Sequence, residues 1–396
     1  MVMISLSLLF KGFLKMGATA YGGPVIAGQM KQSVVKDLGW LKEPEFMRGL
    51  ALCQLVPGAT FVQLSTYIGY RLRGIWGAFI CAVAFVLPAF ALLLILSAVY
   101  FKLGNLWLVQ SLFKGLGAIV VSIVLNAFLN FGRPILKDWK ASLIAVLSFF
   151  GFLYQLNTVL VFIGAGLLAL LLRPMIISKA PSAAPSQGTS GITRKEGDNL
   201  FLGVLAVLIG ATFAVCYFLN AQLSYLAMTL SKLGALAFGG GFTIIPLIQY
   251  EVVDKFHWVN TKEFLDGIAM GQITPGPIMI TATFLGYKLS GLWGAAMATL
   301  AIFSPAFFIV TLLIPHYDKV RGIKAVLIVE QGILASFIGM LGLVLVNFGR
   351  ATFVDIPSVI LSGGAFMALL KKVDLSYILL VGALLSISLF GLLHLV

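Results

Sequence analysis

Four short stretches interrupt a chain that is otherwise as apolar as lipid: YGGP (21–24), VPGA (56–59), FGGG (238–241) and TPGP (274–277). Proline removes a backbone donor and glycine admits conformations closed to other residues, so each stretch ends one helix and starts another. A helix that starts inside a membrane presents free N–H groups and the positive end of its dipole, which suits an anion. Polar side chains accompany the breaks at a repeated spacing. Lys15 and Lys232 stand seven residues before the first glycine of their motifs, and Gln54 and Gln272 stand three before the Pro-Gly. The candidate substrate-binding set is therefore Lys15, Gly22, Gly23, Pro24, Gln54, Pro57, Gly58, Lys232, Gly239, Gly240, Gly241, Gln272, Pro275 and Gly276.

Each break taken alone could be a packing glycine or a proline kink, which membrane helices carry often. Four breaks in two matching pairs favour a site, since corresponding interruptions in two halves mark the substrate site of many transporters. Lys15 and Lys232 have an equal alternative in snorkelling toward an interface. The same alternative is preferred for Arg71, Lys288, Arg133 and Arg350. Asp266 and Glu330 have no acidic counterparts in the first half, where Arg48 and Phe113 stand, so a proton role for either is weakly supported.

Other chemistry has little to work with. Cys53, Cys81 and Cys216 lie in apolar segments, and His257, His316 and His394 are isolated, so no zinc or di-iron arrangement is spelled out. No catalytic constellation and no cofactor motif is expected. The net charge of +13 comes from 27 basic residues scattered between apolar runs, which argues against nucleic acid and for loop charges that orient the chain in a membrane. The absence of a phosphate-binding loop leaves an ion gradient or the membrane potential as the energy source.

The elements that must position these residues follow from composition. Of the 396 residues, 60% are hydrophobic and 10% charged, far from the roughly half and quarter of soluble proteins. The expected class is an all-α polytopic membrane protein. Aligned with itself at an offset of 217, the chain matches KMGATAYGGP (15–24) to KLGALAFGGG (232–241), Asp37 to Asp254, GYRLRGIWGA (69–78) to GYKLSGLWGA (286–295) and NFGR (130–133) to NFGR (347–350). EFMRGLALCQLVPG (45–58) matches EFLDGIAMGQITPG (263–276) after one extra residue. This is a duplication of a six-span unit.

Spans are predicted near 3–28, 49–70, 75–100, 108–131, 140–156 and 157–173, and again near 221–248, 264–287, 290–314, 324–348, 356–370 and 374–395. A polar linker, 178–199, and an extra run, 200–219, separate the halves. The domain reading is 1–177 as the first repeat, 178–219 as linker plus connecting helix, and 220–396 as the second repeat. Six spans plus one would bring the second repeat in from the opposite side, giving about 13 spans and an inverted duplication with breaks at the midplane. Loop charges fit, with 16 basic residues on the N-terminal side against seven opposite, so that side is expected to be cytoplasmic. Making only 3–28 and 221–248 re-entrant would level the count at 12 against 11. The misfit is the 29–48 loop, whose four basic residues fall outside.

FLKMGATAYGGP with QLVPG and YIGYRLRGIWGA, then LGALAFGGGFTIIPL with GQITPGPIMITATFLGYKLSGLWGA, closely resemble the chromate ion transporter family in its long, two-domain form. One departure is Ala59, where the family pattern usually has a second proline. The resemblance implies export of chromate or a similar tetrahedral oxyanion through the cytoplasmic membrane. The expected partners are that small oxyanion and the lipid bilayer, with a homodimer left open. The alternatives are a carrier or channel for another anion such as sulfate, and, less favoured, a membrane-embedded enzyme. Valine at Gly23 or Gly240 is expected to abolish transport while sparing insertion.

Overall fold

Hydrocarbon offers no partner to a backbone N–H or C=O, so an apolar chain has to satisfy these groups within helices. The computed structural model describes residues 4–20, 23–104, 106–172, 196–237, 244–316 and 324–393, and among them every regular element is helical. Gly22, Gly239, Gly240 and Gly241 lie outside the described residues. The helices are α1 Leu6–Thr19, α2 Gly23–Lys31, α3 Glu43–Leu55, α4 Thr60–Leu103, α5 Trp107–Ile135, α6 Trp139–Leu153, α7 Thr158–Leu171 and α8 Glu196–Leu219. After them come α9 Ala221–Leu236, α10 Ile244–Gln249, α11 Thr261–Ile273, α12 Thr281–Leu313, α13 Lys324–Thr352, α14 Ile356–Leu370 and α15 Leu375–Leu393. Single π-helical turns, Gln32–Asp37 and Tyr250–Lys255, follow α2 and α10.

The chain forms two compact units, one from 1–101, 183–244 and 270–321, the other from 102–182, 245–269 and 322–396. Each unit draws on both halves of the sequence.

In the first unit, the crossing predicted over 49–70 is replaced by two short helices folded back on each other. Arg71 pairs with Glu45, the Tyr67 hydroxyl donates to the Glu45 carbonyl at 3.4 Å, and Gly49 lies against the Tyr67 ring with no room for a Cβ. These contacts run α3 antiparallel to residues 60–72, with VPGA at the tip. The 13 residues of α3 span about 20 Å, too short for a core of about 30 Å. Hydropathy cannot separate this pair from one long helix, because a kink and a reversal look alike in composition.

A second reversal follows at Arg73 and Gly74 (φ 63°), so α4 is itself a short limb, 60–72, and a long one, 75–103. Ser290 and Gly291 (φ 58°) repeat it in α12. At both reversals two glycines face each other across the pair, Gly69 with Gly77 and Gly286 with Gly294, where a Cβ would strike the opposite carbonyl.

The first predicted span, 3–28, also folds back. The rings of Phe13 and Trp40 lie 6.3 Å apart, and a Cβ at Gly12 would stand 2.6 Å from the Trp40 ring. A straight helix would separate residues 13 and 40 by about 40 Å.

Helix α8 runs the length of this unit. At its start the Tyr70 hydroxyl donates to Asp198 Oδ2 at 2.7 Å, beside the 73–74 reversal, and Trp76 meets Phe201 at 4.7 Å. Just past its end Asn220 Nδ2 donates to Ser290 Oγ at 3.0 Å, beside the 290–291 reversal. The far end of α4 reaches that same level, where Phe101 stacks on Phe284 and Tyr287.

In the second unit the halves exchange partners. Helix α5 packs on α14 and α15, while its repeat counterpart α13 packs on α6 and α7. Small and hydroxyl residues make the close approaches, as expected where lipid supplies no hydrophobic drive between helices. The Ser122 hydroxyl donates to the Ser362 carbonyl at 2.6 Å, and Gly332 and Gly339 press on the carbonyls of Ala165 and Ala145.

The two π turns correct the alignment. Trp40 and Leu41 donate to the Val34 carbonyl, and Trp258 and Val259 donate to that of Val252. The offset is already 218 here, so Asp254 corresponds to Lys36 and Asp37 to Lys255, and the Asp37 to Asp254 pairing falls. The extra residue enters the second copy between the glycine motif and the π turn.

Candidate functional site

The two Pro-Gly breaks meet the glycine breaks of the opposite half. The Gly58 N–H donates to the Ala237 carbonyl at 2.6 Å, and the Gly276 N–H donates to the Ala20 carbonyl at 2.7 Å. VPGA thus reaches the residue before FGGG, and TPGP reaches the residue before YGGP. Both glycines hold positive φ, +132° and +119°, a region nearly closed to residues with a Cβ. A Cβ on Gly276 would stand 2.8 Å from that of Ala89, and one on Gly58 would stand 3.1 Å from that of Ala306. Ala89 is the midpoint of the 75–103 limb, so this contact sits at half the depth of a crossing helix.

Prolines precede both alanines. Pro305 cannot donate to the Ala301 carbonyl one turn back, and Ser231 Oγ donates to that carbonyl at 3.1 Å instead.

The tip contacts change the role expected of Gly58 and Gly276. Their N–H groups are already committed to carbonyls, so they join the halves and do not face an anion. Around them stand buried amides. Gln63, in the first turn of α4, is fully buried, and its Nε2 donates to the Pro57 carbonyl at 2.7 Å. Its Oε1 finds no partner among the described residues. Gln272 is 6% exposed, and its Nε2 likewise finds no acceptor among them. Gln54, its counterpart, is exposed.

Pro57 and Pro275 lead into the tips, the latter buried. Gly23 and Pro24 open α2. Lys15 is exposed and Lys232 is half-buried. A cavity of about 540 Å³ is lined by Met16, Thr19 and Ala20 at the end of α1 and by Ile26, Gln29 and Gln32 of α2 and the π turn, and Ala20 is the residue whose carbonyl accepts from Gly276. Of the two acids noted in the sequence, Asp266 is buried and Glu330 half-buried. Among the described residues no cluster of His, Cys, Asp or Glu could hold a metal.

The sequence profile of the chromate transporter family matches residues 7–170 and 224–387, one copy in each half. The chain belongs to the chromate transporter family. A protein of Methanocaldococcus jannaschii named as an uncharacterized transporter is 32% identical over 380 residues, 96% of this chain and 93% of its own. A chromate transport protein of Cupriavidus metallidurans is 33% identical over 389 residues, 96% and 92% of the two chains. A probable chromate transport protein of Synechococcus elongatus is 31% identical over 357 residues, 89% and 87%. No solved structure matches.

The family is one of transporters and not of enzymes, and with its apolar helices the chain is a multi-pass membrane protein. The sequence reading missed Gln63, whose signal was an amide placed inside the apolar run that follows VPGA. It missed too that the two breaks of one half are completed by those of the other.

Proposed function

We propose that the protein is a secondary transporter that exports chromate, or a similar tetrahedral oxyanion, across the cytoplasmic membrane by alternating access. The observation that carries this reading is the pair of repeat-related tip contacts at mid-depth. They bring four helix ends and the unpartnered donor of Gln272 into the interior of a membrane protein. On this reading the anion is held by Gln272, by backbone donors of the 21–24 and 238–241 motifs, and by charge from Lys15 and Lys232, while Pro57, Gly58, Pro275 and Gly276 shape the tips. Sulfate is the second substrate to test, as the tetrahedral dianion of like shape. Uptake of chromate, sulfate, phosphate and molybdate into everted vesicles should show chromate preferred. Equal uptake in vesicles lacking the protein would end the proposal.

The membrane topology we propose has nine crossings and four folded pairs, in place of 13 spans. Five stretches hold a helix long and apolar enough to cross, Thr60–Leu103 and Ile278–Leu313 through the limbs beyond their reversals, Trp107–Ile135, Gly197–Ala214 and Leu327–Thr352. Four shorter apolar ones, Trp139–Leu153, Thr158–Leu171, Ile356–Leu370 and Leu375–Gly391, supply the rest. Helices α1, α2, α3, α9, α10 and α11 belong to neither group; with the short limbs of α4 (60–72) and α12 (281–289) we assign them to the four folded pairs, those of the second half by repeat equivalence.

Loop charge supports this topology better than the simple one. Lys31, Lys36, Lys42 and Arg48 move to the N-terminal side and Lys255 and Lys262 leave it, so the basic count becomes 18 against five. The misfit at 29–48 disappears. An inverted relation of the repeats, bounded at 1–177 and 220–396, is supported by the placement of the two equivalent reversals at opposite ends of α8, whose 24 residues span about 36 Å.

A membrane-impermeant thiol reagent applied to whole cells of a cysteine-free variant separates the two topologies. Cysteine at Lys42 should be protected and cysteine at Lys262 labelled. The opposite pattern would restore 13 spans.

A further inference from the structure

The second unit holds a polar cavity of about 530 Å³. Its walls include Tyr250, Asp254 and His257 of the π turn and its exit, Asn260 and Thr261 at the start of α11, Gln155 after α6, and Asn347 of α13. Asp254 is held by one side chain, Gln249, whose Nε2 lies 3.0 and 3.1 Å from its two oxygens. Gln249 is fully buried, and its Oε1 finds no donor among the described residues.

His257 has φ +52°, a left-handed position that the first copy fills with Gly39 at +60°. A β-carbon there costs about 1 kcal/mol, and such strain is characteristically retained where the side chain is needed. The His257 Nδ1 lies 2.7 Å from the Val253 carbonyl. A carbonyl only accepts, so Nδ1 carries a proton and donates to it.

The remaining groups around Asp254 are accounted for. Glu251 is buried and pairs with Lys255 at 3.1 Å, its other oxygen accepting from Thr158 at 3.2 Å. The Tyr250 hydroxyl donates to the Leu156 carbonyl at 2.7 Å and is pushed up to about 12 by burial, so it stays neutral. From α6, its following turn, α11 and α13 the cavity receives Phe152, Leu153, Gln155, Asn260, Thr261, Leu343 and Asn347, none of them charged. The titratable side chains of the wall are thus Tyr250, Asp254 and His257, and Asp254 is its one carboxyl group.

We propose that this cavity is a proton-binding site centred on the Asp254 carboxyl, with His257 on the same wall, and that its occupancy governs transport. The second clause rests on the oxyanion-transport reading, while the first stands apart from it. Burial pushes the Asp254 carboxyl up to about 6, against which the Gln249 amide and the His257 ring act. The folded protein therefore favours the protonated acid, and the cost of ionising it appears as pH rises from the ordinary carboxylate range through about 6. Protonation also allows the Gln249 amide to turn and accept from the acid, which would give its unpartnered oxygen a donor.

Infrared difference spectra of the purified protein in lipid test the binding clause without any substrate. A carboxylic-acid carbonyl band titrating near pH 6 is expected, absent in Asp254→Asn. In His257→Gly, which suits the backbone and removes a group that favours the carboxylate, the midpoint should rise. Flux in proteoliposomes should change about tenfold per pH unit on the alkaline side in the wild type and less than about twofold in Asp254→Asn. An unchanged band in Asp254→Asn, or an unmoved midpoint in His257→Gly, would overturn the site. A band that behaves as expected with no oxyanion flux at any pH would leave the proton site standing and overturn the clause on transport.

Discussion

Alanine at Gly276 is expected to abolish oxyanion uptake and to lower the melting temperature of the purified protein, and alanine at Gly58 to do the same. Both glycines sit at φ beyond +115°, where a Cβ strains the backbone, and both are tight against the alanine at mid-depth of the other half's crossing helix. Backbone strain of about 1–3 kcal/mol and overpacking of about 1–3 kcal/mol act together. Their sum is a large share of the roughly 5–15 kcal/mol that holds a typical protein folded.

The transport loss has a separate cause. Each N–H fixes the carbonyl immediately before a glycine break of the opposite half, so moving either tip moves the region where the anion is proposed to sit. Gly74→Asn is the control, because Gly74 is also at positive φ, +63°, but has open space around it. Asparagine tolerates that conformation, and a loss below about 1 kcal/mol is expected. Circular-dichroism melts and vesicle uptake on the three variants would decide the matter. If Gly276→Ala transports and melts like Gly74→Asn, the tip contacts do not organise the site.

The membrane class, the duplication and the location of the breaks could all be read from residue order, because each is written as composition or as a repeated string. The folding back of α3 on 60–72 could not, although its parts were visible. Arg71 and Glu45 are 26 residues apart, and neither side chain reveals which charge it will meet. The sequence shows that VPGA interrupts a helix, but the angle at which the chain leaves a Pro-Gly is set by what the tip touches, here Ala237 and Ala306 of the other half. Loop charge carries a signal that supports the proposed topology. The four basic residues of 29–48, a misfit to a straight crossing at 3–28, fit once both preceding and following segments reverse. For the same reason the π turns were illegible. A one-residue insertion before Val252 moves Asp254 opposite Lys36, and only the hydrogen bonds of Trp40 and Trp258 fix that register.

Leucine at Gln272 should weaken oxyanion affinity while leaving the protein as stable as before or more so. The side chain is 94% buried and its amide nitrogen donates to nothing among the described residues, an arrangement that costs stability unless something else occupies it. Replacing an unpartnered buried amide with an apolar side chain of similar size removes a penalty of about 1–3 kcal/mol. A hydrogen bond to a charged ligand contributes about 1.5–3 kcal/mol, so losing it should raise the apparent Kd by about tenfold to a hundredfold. Stability and affinity then move in opposite directions, which a packing role for Gln272 cannot produce. Gln54→Leu, at the exposed counterpart, should alter affinity less than about threefold, since water can replace whatever that amide donates. Lys232→Gln, at the half-buried lysine, should reduce affinity more than Lys15→Gln at the exposed one, because desolvation strengthens a charge at the same distance. Equilibrium binding of radiolabelled chromate, with melts of the same preparations, would test all four variants together. Normal affinity with a lowered melting temperature in Gln272→Leu would make that amide a structural brace and leave the helix ends and Lys232 as the donors to the anion.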